Sequence, residues 1–69
     1  MTTIVPQFPI KIFQSHEEGH YTSSMVAFII VNETDHWKTI FVTISGTPIP
    51  HERIAFAKVL IDGQWISHD

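Results

Sequence analysis

His51-Glu52-Arg53-Ile54-Ala55-Phe56-Ala57-Lys58-Val59-Leu60-Ile61, followed by Asp62-Gly63-Gln64-Trp65-Ile66, supports two incompatible readings, and the fold turns on the choice between them. As a helix, the stretch is rich in good formers (Glu52, Arg53, Ala55, Ala57, Lys58, Leu60), Pro48 or Pro50 suits the first turn, and Gly63 stands where a helix C-terminal glycine belongs. Ile54, Ala57 and Ile61 then share one face, with Phe56 and Leu60 on its flank. As strands, Asp62-Gly63 between two apolar runs is a two-residue hairpin signal that converts the whole tail to β-structure. The density of helix formers favours the helix.

Working outward, Gly46 to Pro50 is a connector, and three strand-like segments precede it. Ile40, Val42 and Ile44 alternate with Phe41, Thr43 and Ser45, the period of a half-buried strand. Tyr21 to Asn32 holds Val26, Phe28, Ile29, Ile30 and Val31, a long run of β-favouring side chains. Pro9 to Gln14 alternates as well, with a proline suited to a strand start. Residues 1–8, interrupted by Pro6, are expected to form an extended N-terminal arm. The expected architecture is α+β: a three-stranded antiparallel β-meander followed by one helix (β-β-β-α) and a short C-terminal strand or tail, with an all-β, five-stranded small barrel as the alternative. All 69 residues fit one small domain, which at 7.9 kDa buries only about 60% of the surface its unfolded chain exposes.

Composition narrows the function classes. Four Lys and Arg against seven Asp and Glu give a net charge of −3, the wrong sign for gripping a phosphate backbone, and Lys11, Lys38, Arg53 and Lys58 are dispersed along the chain. Nucleic acid is therefore an unlikely partner, although three strands followed by a helix is an arrangement some DNA-binding domains use. At 43% hydrophobic and 16% charged, the chain carries enough apolar material to fold. The absence of cysteine removes disulfides and thiolate metal sites. The first thirteen residues lack the pattern of a secretory signal, and the longest apolar run, Met25 to Val31, is far short of a membrane span. A cytoplasmic, membrane-free protein is expected.

His16-Glu17-Glu18-Gly19-His20 fits H-E-x-x-H and on these five residues resembles the zinc-peptidase signature, in which two histidines one helical turn apart hold the metal and a glutamate acts as base. The motif requires a helix, whereas here it lies between strand-like segments and contains Gly19. A milder version remains: in a meander the first turn and the exit of the third strand share one end, which brings His16 and His20 toward His51 and Glu52, a set able to hold a divalent metal. Five histidines also make charge pH-sensitive, since protonating all of them moves the formal charge from −3 to +2. There is no G-x-S-x-G elbow, no thiol and no glycine-rich phosphate loop. No catalytic residue, cofactor or enzymatic activity is expected.

The second strand is more informative. Alternation puts Met25, Ala27, Ile29 and Val31 on one face and Val26, Phe28 and Ile30 on the other, so both faces are apolar and one helix covers only one of them. Ile4, Val5 and Phe8 of the arm, or a partner, must cover the second. The third strand, Lys38 to Ser45, reads as a sheet edge open to strand addition, with Thr39 and Thr43 along it and Trp37 at its start as the more exposed tryptophan. The candidate interface is accordingly Phe13, Met25, Ile29, Val31, Trp37, Thr39, Phe41 and Thr43.

In length, lack of cysteine and surplus of apolar surface, the chain is similar in general character to small phage-encoded inhibitors that bind and block a host enzyme. The likeness is compositional and covers no motif. It implies a non-enzymatic protein-binding module acting through a sheet face or edge strand, on another protein or on itself as a homodimer. The alternatives are a metal-binding protein with zinc at His16 and His20, and a small nucleic-acid-binding domain.

Overall fold

The computed structural model describes residues 1–68 and corrects the α+β expectation: the chain is an antiparallel β-structure of seven strands. In order they are β1 (Thr2–Ile4), β2 (Ile10–Ser15), β3 (Tyr21–Val31), β4 (Ile40–Thr43), β5 (Pro48–Pro50), β6 (Phe56–Ile61) and β7 (Gln64–His68). Helical structure among the described residues is limited to two 3-10 turns, His36–Lys38 and His51–Arg53. Of the two readings of the tail, the all-β alternative is the compatible one, with seven strands in place of five.

The decisive residues are Asp62 and Gly63. Both take positive φ, 51° and 78°, the pair of conformations a type I′ turn demands, and they join β6 to β7 with Ile61 opposite Gln64 and Leu60 opposite Trp65. The helix-forming residues upstream complete only one 3-10 turn, which ends at Ile54 with extended backbone. From Phe56 the chain pairs with β2 instead, Phe13 opposite Phe56 and Ile10 opposite Val59. That ladder buries Ala57 against the core, so tertiary pairing overrides local propensity.

The sheet order is β5-β4-β3-β2-β6-β7, with β1 also on β3. The eleven-residue β3 serves two halves of the sheet. Its first part pairs with β2, Tyr21 to Met25, and its last part pairs with β1, Ile29 to Val31. Its other side holds β4, with a register shift between Val26 and Phe28. Ile49 on β5 and Ile12 on β2 lie three strand spacings apart, about 14 Å on a flat sheet. They nonetheless belong to one core cluster with Val26, flanked by Ile10, Ile29, Phe41, Ile54 and Ala57. The sheet is therefore folded over on itself at β3, and the core fills the fold. Its two ends, β5 and β7, do not pair with each other among the described residues.

Two further expectations change. The N-terminal arm does not lie across a face. Thr2–Ile4 joins the sheet as β1, and Val5 and Phe8 remain 75% and 45% exposed. The Thr2 hydroxyl donates to the Glu33 carboxylate, which holds the Glu33 carboxyl below its usual range. Nor is the third strand an edge: β4 is paired on both sides, and the edge beyond it is β5, Pro48-Ile49-Pro50. Two prolines without N–H groups blunt that edge against strand addition.

Candidate interaction surface

Register divides the half of the sheet formed by β2, the start of β3, β6 and β7 into two faces. Ile10, Ile12, Ser24, Ala57 and Val59 point into the fold. Lys11, Phe13, Tyr21, Met25, Phe56, Lys58, Leu60 and Trp65 occupy the outer face. On that face Phe13 and Phe56 stack, centroids 4.5 Å apart and planes 14° apart, and Tyr21 meets Phe56 edge-on at 5.3 Å. The Lys11 ammonium lies 4.3 Å from the centre of the Trp65 ring, and that of Lys58 lies 5.8 Å from the Phe13 ring. Tyr21, Phe56 and Trp65 are 53%, 36% and 37% exposed.

The two lysines are direct cross-strand partners. Like charges placed so cost about 0.2–1 kcal/mol. The single ion pair among the described residues joins the Met1 amino group to Glu33, so neither lysine has a carboxylate partner. Cation–π contacts of about 0.5–1 kcal/mol each offset the repulsion, which leaves the ammonium groups held in place but without a counter-charge. The strands β2, β3, β6 and β7 contain no Asp or Glu at all. Two of the four cations that look dispersed in the sequence thus converge on one face.

The candidate interface residues are not brought together. Phe13 and Met25 lie on the outer face just described, while Ile29 and Phe41 pack against the core. The shift at Val26/Phe28 separates Met25 from Ile29, which uninterrupted alternation would keep on one side. Val31 is half-buried opposite Thr2. Thr39 and Thr43 are 7% and 4% exposed: the Thr39 hydroxyl accepts from the Asn32 N–H at 3.1 Å, and the Thr43 hydroxyl accepts from the Thr47 N–H at 3.1 Å. They cap turns and line no edge. Trp37 is 53% exposed in the first 3-10 turn, more than Trp65.

The metal candidates are also apart. His16 to His20 form the β2–β3 turn, closed by the His16 N–H on the His20 carbonyl at 3.1 Å, and the His16 ring pairs with the Thr22 hydroxyl at 2.7 Å. Strand β5 carries the chain back along β4, so the His51 N–H reaches the Thr39 carbonyl, beyond the other end of β3. A simple meander lacks this extra strand. Among the described residues no three His, Asp or Glu side chains come together as metal ligands would. The His51 ring instead packs with Trp37, His36 and Phe41, its Nδ1 buried without a hydrogen-bond partner.

A concavity of about 410 Å3 opens between the two halves of the folded sheet and is lined by Ile10, Ile12, Ile29, Phe41 and Ile54 among others. Its walls are the core itself. Tyr21, Phe56 and Trp65 do not stand out as a group in the sequence, because the β2–β6 register brings Phe56 beside Phe13 and Tyr21, and only the β6–β7 hairpin adds Trp65. Asp62-Gly63 was the signal that would have revealed it. No family model, curated protein or solved structure matches the chain.

Proposed function

We propose that this chain is a non-enzymatic protein-binding module, and that its binding surface is the outer face of β2, β3, β6 and β7. One observation carries the reading: Tyr21, Phe56 and Phe13 pack in succession, and Lys11 links them to Trp65, on a face that nothing in the described chain covers, with three of the four aromatics more than a third exposed. Aromatic residues are enriched at interface centres, where burying each is worth about 1.5–3 kcal/mol. The strip suits a protein better than a nucleic acid. Bases need free ring faces to stack upon, and here Phe13 and Phe56 occupy one another while lysines lie over Trp65 and Phe13. The compositional likeness to small phage-encoded inhibitors offers an enzyme as the alternative to self-association.

Site-specific photo-crosslinking in the native cell tests this reading. A photoreactive phenylalanine at position 21 or 65 is expected to give discrete protein adducts, and the same group at Thr34, an exposed turn residue away from the face, is expected to give none. Equal adducts from all three positions, or none from 21 and 65, would overturn it.

A further inference from the structure

The charge pattern along this strip is self-complementary, and we infer that its partner is a second copy of the chain. The inference rests on the proposed binding face and specifies its occupant. Along β2 the order is the turn bearing Glu17 and Glu18, then Ser15 beside Tyr21, then Phe13 beside Phe56, then Lys11 beside Lys58, and beyond these Trp65. The midpoint between the lysines and the acidic turn falls between the Phe13–Phe56 row and the Ser15–Tyr21 row. Successive rows are about 7 Å apart, so the lysines lie about 7 Å to one side of the phenylalanine pair and Glu17 about 14 Å to the other. None of the four charged residues has an ion-pair partner among the described residues, and Glu17 and Glu18 lie in the turn, outside the strands.

A two-fold axis lying between two such faces, across the strands midway between the Phe13–Phe56 row and the Ser15–Tyr21 row, reverses the strip end for end. It sets the Lys11–Lys58 row of each copy, about 10 Å from the axis, toward the other's Glu17-Glu18 turn at a similar distance, and the Phe13–Phe56 row of each toward the other's Ser15–Tyr21 row. An isologous dimer needs this self-complementarity. The chain as a whole exposes 5079 Å2, about 700 Å2 more than the roughly 4,400 Å2 of a compact monomer of this mass.

Sedimentation equilibrium on the full chain tests the pairing by charge exchange, with circular dichroism as the check on folding. The wild type is expected to be a dimer. Lys11→Glu/Lys58→Glu is expected to lose at least about tenfold in dimer affinity, because acid then faces acid, and Glu17→Lys/Glu18→Lys to lose a similar factor. Mixed in equal amounts, the two variants are expected to form a heterodimer, since every contact becomes opposite in charge again. Should the lysine variant fail to fold, the turn variant, which alters no strand, carries the test alone against the wild type. A monomeric wild type, variants that dimerise as well as the wild type, or a mixture that stays monomeric would each overturn the inference. A monomer that still gives crosslinks to another protein from positions 21 and 65 would sink the second copy while sparing the binding face, whereas a charge-controlled dimer without foreign adducts sustains both.

Discussion

Individual side chains divide sharply between those that hold the fold and those that present a surface. Ile12 is 1% exposed and central to a core whose other buried apolar members, among the described residues, are Val26 and Ile49. Truncating such a residue costs roughly 2–5 kcal/mol, much of the 5–15 kcal/mol a small domain has in total. Ile12→Ala is therefore expected to lower the urea midpoint drastically or abolish cooperative unfolding, whereas Val5→Ala, at a 75% exposed position, is expected to change stability by no more than about 0.5 kcal/mol. Similar losses for both would contradict the assignment of the core. The placement of Phe41 follows from the same division. It packs against this cluster, so a charge there attacks the fold and reports nothing about an interface.

At the scale of elements, the hairpin at Asp62-Gly63 decides the architecture, since without β7 and its turn the outer face has neither Trp65 nor the anchored Lys11. Gly63→Ala puts a Cβ on a residue at φ 78° and is expected to cost about 1–2 kcal/mol, with amide exchange in β6 and β7 accelerating before that in β3. Uniform acceleration, or none, would contradict a turn-controlled hairpin. The strand readings over residues 9–14, 21–32 and 40–45 correspond to β2, β3 and β4, because alternation and β-branched content are local signals. The helical reading of the tail fails for a definable reason. Ala57 and Ile61, four residues apart, share a side in a helix and in a strand alike, and only Val59 between them distinguishes the two. β5 was hidden by its prolines, which mark an edge strand only once its neighbour is known. The shift at Val26/Phe28 has no local signature, and it alone parts Met25 from Ile29.

For the molecule as a whole, a sheet folded at β3 buries one face of each half and turns the other outward. The expectation that a sheet apolar on both faces requires a cover thus acquires a location: the inner faces cover each other, and the aromatic strip of Tyr21, Phe13, Phe56 and Trp65 is left outside with two unpaired lysines. The candidate residues named from sequence alone missed this surface except at Phe13 and Met25, since only the β2–β6 register brings the strip together. Its occupancy is read most directly from tryptophan. With Trp37→Phe, Trp65 becomes the sole reporter on the face; with Trp65→Phe, Trp37 reports on a turn away from it. Acrylamide quenching of Trp65 is expected to fall, and its emission to shift to the blue, as protein concentration rises, while Trp37 stays equally quenched throughout. A Trp65 as accessible in concentrated solution as in dilute would contradict a face that closes on a second copy.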